Sequence, residues 1–317
     1  MDHYHPPSKD HWNGRTSGKQ HYLHEKISCT AISKLKKAEK TFALLGYACD
    51  EGVARNLGRV GAKEGPNAIR KVLGKMPNHL APDIHVLDVG DIVCEDKNLE
   101  KTQEVLAKHI EHLLEHNIRP IVLGGGHDMS YGHFNGIKNY LISKKKRPNI
   151  GIINFDAHFD LRDPKNGVNS GTPFYQIANE NNPFHYLCLG IRKDANDSSL
   201  FETAKSLEVT YVESNALRIQ FSKEIKTWVE AFMSKVTYLY LTIDLDGFSS
   251  AYAPGVSAPS PMGFSPDIVI ETLETILASG KLIGLDIAEM NPKYDTDQAT
   301  ASLAAALIHK VIHSEFD

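Results

Sequence analysis

The chain has 317 residues, with 35 lysines and arginines against 39 aspartates and glutamates, 16 histidines and four cysteines. Apolar residues at 41% and charged residues at 23% exclude an intrinsically disordered chain. A net charge of −4 lacks the basic footprint of a nucleic-acid binder, and no apolar run reaches the roughly 18 residues of a membrane span.

In chain order, residues 1–25 are polar and histidine-rich, and Pro6-Pro7 oppose an early helix. A loosely packed arm is expected there, with His3, His5, His11, His21 and His24 not serving as functional metal ligands. Phe42 to Gly46 reads as a buried strand. Ala68 to Leu73 reads as a helix after Pro66, and Ile84 to Leu87 as a strand. From Leu99 to His116 the apolar positions Val105, Leu106, Ile110, Leu113 and Leu114 have the spacing of an amphipathic helix. Its histidines His109, His112 and His116 lack the HExxH pattern and are expected on the surface. Further strands are expected at Arg119–Leu123, Ile150–Phe155, Tyr186–Leu189, Val209–Val212, Tyr238–Leu245 and Leu282–Ile287, with Lys144 to Arg147 as a solvated loop. Apolar strands alternating with helices indicate a parallel sheet covered on both faces, in one α/β domain over 1–317. The N-terminus has no apolar signal segment, and Cys29, Cys49, Cys94 and Cys188 follow no CxxC spacing. A cytoplasmic protein with reduced thiols is therefore expected.

Ligands of such sheets lie beyond the carboxyl ends of the strands. The segment Asn154-Phe-Asp156-Ala-His158-Phe-Asp160 follows one strand end. Side chains two apart on an extended backbone share a face, so Asp156, His158 and Asp160 can converge. Their mixed oxygen and nitrogen donors suit a divalent ion such as manganese better than a thiolate metal; a solvated polar loop is the plainer alternative. Asp244 and Asp246 follow the apolar run Tyr238 to Ile243. Two carboxylates at a buried strand end repel unless a cation lies between them, the alternative being a pair of helix caps. In Gly124-Gly-Gly-His127-Asp128 the glycines permit close backbone approach or positive φ. His127 is the candidate ligand, and Asp128 is available to orient it or to cap the next helix. Neither the P-loop nor GxSxG occurs. Four carboxylates and two imidazoles are too many for one catalytic ion and suit two, which together would acidify a shared water. Glu289, beyond the last strand, stands on the same rim, where it would hold a cationic substrate group or form a structural ion pair.

These segments resemble the ureohydrolase superfamily of arginases, agmatinases and formimidoylglutamases. So do Gly58-Arg-Val-Gly-Ala-Lys-Glu-Gly-Pro-Asn-Ala-Ile-Arg70, Ala253-Pro-Gly-Val-Ser-Ala-Pro259 and Leu285-Asp-Ile-Ala-Glu289-Met-Asn-Pro292, and the likeness runs from Phe42 to His313. The resemblance implies a three-layer α/β/α fold with a central parallel sheet of about eight strands, two Mn2+ per subunit, and hydrolysis of a carbon–nitrogen bond in a linear amidine or guanidine. One ion would take His127, Asp156, Asp160 and Asp244. The other would take Asp156, His158, Asp244 and Asp246, and Glu289 would pair with the amidinium or guanidinium. Trimers or hexamers are the family's usual assemblies. Where arginases and agmatinases carry a histidine before glycine, this chain has Ser170 in Asn169-Ser-Gly-Thr-Pro-Phe174, a segment similar to formimidoylglutamases. Trp12-Asn-Gly-Arg15 and Leu200-Phe-Glu-Thr-Ala204 point the same way. The substrate implied is N-formimidoyl-L-glutamate, whose two carboxylates call for cations; Arg162 and Arg192 are the candidates. Asp160 and Glu289 are the expected catalytic groups. A guanidino-compound ureohydrolase releasing urea and a non-catalytic metal-dependent regulator are the alternatives.

Overall fold

In the computed structural model, which describes residues 3–314, the apolar runs form eight parallel strands. They are β3 (Thr41–Ala48), β4 (His85–Val93), β5 (Ile118–Leu123), β6 (Ile150–Phe155), β7 (His185–Ile191), β8 (Thr210–Glu213), β9 (Tyr238–Asp244) and β10 (Leu282–Ala288). Two further strands of two residues each, β1 (Tyr4–His5) and β2 (Ser28–Cys29), precede them. The order across the sheet is β1-β4-β3-β5-β10-β9-β6-β7-β8, with β2 also on β4. Every pairing is parallel except β1 with β4. The expected sheet of about eight strands is therefore the long-stranded part of a ten-stranded one, in which the short β2 is also parallel and only β1 is antiparallel.

Successive residues of a strand face opposite sides of a sheet, and both sides here are apolar. In β3, Phe42 and Leu44 join the core on one side, with the helices Gly65–Leu73, Ser222–Met233, Pro266–Ala278 and Ala299–Ile312. Ala43, Leu45 and Tyr47 join the core on the other side, with Leu99–Glu115 and Met129–Ser143. That arrangement makes three layers and explains why the strands read as continuous apolar runs. Asn98 starts the helix Leu99–Glu115 by accepting the Lys101 N–H at 3.1 Å.

The arm departs from expectation, because it is packed. Trp12, Leu23 and Ile27 are buried in the main core, and the Trp12 indole N–H donates to Asp88 at 2.7 Å. Asp88 also pairs with the fully buried Arg70 at 3.0 Å. A buried ion pair needs its remaining lone pairs satisfied and water excluded, and the arm supplies both a donor and a cover. His109 is likewise half-buried, stacked on Tyr4 of the arm at 5.2 Å between ring centres. Lys144 to Arg147 form the exposed loop expected.

Candidate active site

The order of the sheet places β5, β10, β9 and β6 side by side at its centre. Each of these four strands delivers at its carboxyl end one of the groups singled out from the sequence. His127 follows β5, Glu289 follows β10, Asp244 ends β9 and is followed by Asp246, and Asp156, His158 and Asp160 follow β6. Ligand atoms of His127, Asp156, Asp160 and Asp244 lie within 4.8 Å of one another, and so do those of Asp156, His158 and Asp246. Asp156 belongs to both groups.

Alternation along an extended strand does not bring these side chains together, because the strands stop first. Asp156 bends the chain after β6, its Oδ1 accepting the His158 N–H at 2.7 Å. Asp244 repeats the device after β9, accepting the Asp246 N–H at 2.8 Å. Both are turns of the kind that Asp side chains favour. At Asp244 one oxygen closes the turn and leaves the other for His127, whereas the turn-closing Oδ1 of Asp156 also faces His158 Nδ1 at 3.4 Å. Asp244 is thus a cap and a cluster member at once. Asp160 and Glu289 sit at φ of 50° and 64°, a left-handed conformation costly for residues with a Cβ. Glu289 is held there by its own N–H, which donates to the Gly125 carbonyl at 2.8 Å.

The three glycines serve close approach, since none of Gly124, Gly125 and Gly126 has a positive φ. A Cβ on Gly124 would stand 2.6 Å from the Ile287 carbonyl oxygen and 3.0 Å from the Ala288 Cα, so β10 fits against the loop only without a side chain there. Asp128 neither caps the next helix nor touches His127 through its carboxylate. Its Oδ2 accepts from the Tyr47 hydroxyl at 2.7 Å, and burial pushes its carboxyl up to about 7.

The His127 Nδ1 faces oxygens of Asp160, Asp244 and Asp156 at 2.8, 3.0 and 3.2 Å without making a hydrogen bond. His158 Nδ1 stands 3.2 Å from Asp246 and 3.4 Å from Asp156. Burial opposes the charge on both imidazoles, but the carboxylates around them prevail and hold their affinity for protons well above the ordinary range. Burial, and then Asp156, push the Asp160 carboxyl up to about 6. The same two causes raise Asp244, whereas burial and then Asp244 raise both Asp246 and Glu289. Only Asp156 is lowered: burial opposes its charge, but both imidazoles hold it ionised. Besides His127 Nδ1, the buried Asp246 Oδ1 and Glu289 Oε2 have no hydrogen-bond partner. Crowded carboxylates, lone pairs without donors and a mixed O/N set fit divalent cations.

The cleft above these groups has a volume of about 330 Å3 and is lined also by Asn56, Arg59, Arg162 and Ser170. Asn56 and Ser170 pair across it, the amide donating to the hydroxyl at 3.2 Å. Arg162 reaches the cleft half-exposed, with Asp197 at 3.8 Å as a loose neighbour. Arg192 is not brought there: its guanidinium is forked onto Asp194, and it is not among the lining residues. Two residues that support the site were not singled out from the sequence. Thr242 meets His127 Nε2 at 2.9 Å, and the Asn154 amide donates to Asp156 at 3.0 Å. Thr242 lies two residues before Asp244 on the same strand, so the alternation already noted would have found it.

The arginase family model matches residues 40–313. A formimidoylglutamase of Clostridium tetani (strain Massachusetts / E88) is 39% identical over 322 residues, covering 98% of this chain and 95% of the relative. One of Geobacillus sp. (strain WCH70) is 42% identical over 308 residues, covering 96% and 94%. The crystal structure of formimidoylglutamase from Bacillus subtilis superposes with a TM-score of 0.81 at 23% identity, covering 95% of this chain and 93% of that one. Trypanosoma cruzi formiminoglutamase with Mn2+ gives 0.78 at 21% identity, covering 92% and 97%. With the matched residues taking in the whole rim from His127 to Glu289, the chain belongs to the arginase family.

Proposed function

We propose that this chain hydrolyses N-formimidoyl-L-glutamate to L-glutamate and formamide. The observation that carries the reading is the rim itself, where four buried or near-buried aspartates and Glu289 surround two imidazoles. Beside it, the cleft offers Ser170 and Arg162 to the rest of the substrate. Near-full-length formimidoylglutamase relatives support the choice of substrate. His127, Asp156, Asp160 and Asp244 would hold one divalent ion, and the second cluster of Asp156, His158 and Asp246 the other, with Asp244 as a further ligand as the family resemblance implies; manganese is the ion in the Trypanosoma cruzi structure. Bound there, such ions supply Lewis acidity and a water acidified toward neutrality.

The chain's own residues do the rest. Glu289 pairs its carboxylate with the formimidoyl amidinium, fixing the carbon to be attacked and balancing its charge as it is neutralised. Addition of water to that carbon is followed by cleavage of its bond to the glutamate nitrogen. The carbon leaves as formamide, and the glutamate nitrogen, which gains both protons of the added water to become an ammonium, receives the first of them before its bond to carbon breaks. Asp160 holds that proton in transit. Arg162 meets a substrate carboxylate, and the Asn56–Ser170 pair takes the loop position where arginases carry a histidine. The enzyme acts as a homo-oligomer in the cytoplasm.

A product assay on manganese-loaded protein tests the reading. N-formimidoyl-L-glutamate, agmatine, guanidinobutyrate and arginine are compared, with formamide and urea quantified. Formamide and glutamate from the first substrate alone are expected. Urea from a guanidino compound would transfer the chain to the ureohydrolase reading, and inertness toward all four with two metals bound would favour a regulator.

A further inference from the structure

A line of buried polar groups runs from His127 into the core beneath the rim. Tyr240, Thr242 and Asp244 alternate along β9 and share one face. The helix Met129–Ser143 presents Ser130 and His133, and Asp286 of β10 stands in register beside Thr242. The His127 Nε2 meets the Thr242 hydroxyl at 2.9 Å, and that hydroxyl meets Ser130 at 3.4 Å. The Tyr240 phenol lies beside both hydroxyls, on the β9 face it shares with Thr242, and donates to Asp286 Oδ2. His133 Nδ1 donates to the same oxygen at 2.7 Å. All six side chains from His127 to His133 are buried. Gly284 makes room for the last of them, since a Cβ there would stand 2.6 Å from His133 Nε2.

The chain has a polarity. Asp286 only accepts, so Tyr240 must donate to it; the Tyr240 oxygen is then free to accept from the hydroxyls, and the Thr242 oxygen to accept from His127. Run in that direction, the network puts the His127 proton on Nε2 and leaves the Nδ1 lone pair facing the three carboxylates. A histidine that ligates through one nitrogen needs its other N–H fixed in this way. We propose that Asp286, acting through Tyr240 and Thr242, is a positioning residue that holds His127 in its ligating tautomer and sets the affinity of the cation bound through His127, leaving the cation bound through His158 unaffected. The inference rests on the reading of the rim as a two-cation site.

The test is a manganese titration of metal-free protein, with free Mn2+ followed by electron paramagnetic resonance, on wild type, Tyr240→Phe, Thr242→Val, Thr242→Ser and Asp286→Asn. Wild type should take up two ions. Tyr240→Phe, Thr242→Val and Asp286→Asn should weaken one of the two by about 10- to 100-fold, leave the other within about two-fold, and Thr242→Ser should restore it. Thermal melting of the metal-free proteins separates affinity from folding. Equal weakening of both ions, or unchanged affinity in Tyr240→Phe and Thr242→Val, would overturn the relay. A wild type that takes up no manganese would instead overturn the two-cation reading.

Discussion

Two of the buried charged clusters among the described residues are built on opposite terms. Near the arm, Arg70 reaches Asp91 at 2.6 Å, Asp88 at 3.0 Å and the Gly90 carbonyl at 2.9 Å. Asp88 further accepts the Trp12 indole N–H and the Gly90 N–H. Burial works against the guanidinium charge, but the two carboxylates more than offset it and strengthen its hold on the proton. At the rim, carboxylates outnumber cations, several acceptors have no donor, and two residues are held at positive φ. Burial alone therefore does not mark a functional site. The distinguishing property is whether the charge is answered from within the chain, as at Arg70, or left to be answered by what binds.

Replacing a rim group should cost activity more than stability, and the largest effect is expected at Asp160. Asp160→Asn, with both metals confirmed, should lower kcat by about 10²- to 10⁴-fold; near-normal turnover would remove Asp160 from proton handling. The reverse pattern is expected at the other cluster. Arg70→Met, which leaves Asp88 buried and unpaired, should destabilise the fold by about 3–5 kcal/mol in urea unfolding. Activity per folded molecule should hardly change, and a large loss there would deny the contrast. Arg162→Ala should raise KM for N-formimidoyl-L-glutamate about ten-fold with little change in kcat, the value expected of one charge-assisted contact. An unchanged KM would take Arg162 out of substrate recognition.

The smallest effect, and the most diagnostic of sign, is the pH dependence of the metal-free protein. Asp160 and Asp128 are pushed up to about 6 and about 7, so between pH 4 and 7 the folded state binds more protons than the unfolded one. Stability then falls as pH rises through that window. His127 and His158, also raised, add a loss in the same direction as they deprotonate, whereas Asp156, held ionised, makes its pH-dependent contribution only below this window. The melting temperature of the metal-free protein should drop by several degrees from pH 5 to pH 8. Manganese should reverse the trend, because its ligands must be deprotonated to bind. A metal-free protein that grows more stable over that range would mean the rim charges are answered internally after all.

The alternating pattern of strands and helices, and the placing of the ligand types after strand ends, were legible because each depends on residues near one another in the chain. A run such as Ile150–Phe155 can be buried on both faces only in a covered sheet, and Asp156 or Asp244 at its end is conspicuous for the same reason. The means of convergence was not legible. An extended backbone was expected where the chain turns at Asp156 and Asp244, because a side chain closing a turn on its own backbone looks in sequence like any other aspartate. The arm misled for a related cause. Its polar composition is that of a free segment, yet Trp12, Leu23 and Ile27 are enough to seal the Arg70–Asp88 pair.

By itself the sequence determined which residues have the chemistry of a cation site and that each would stand at the mouth of a parallel sheet. Only the tertiary structure decided which strands are neighbours. The order β5-β10-β9-β6 brings four distant segments to one rim and sets Asp286 beside Thr242, and the fold of the loops above them pairs Asn56 with Ser170. Local spacing fixes what a side chain can do. Partners across strands are chosen by register and crossover, which carry no signature within the few residues around each group.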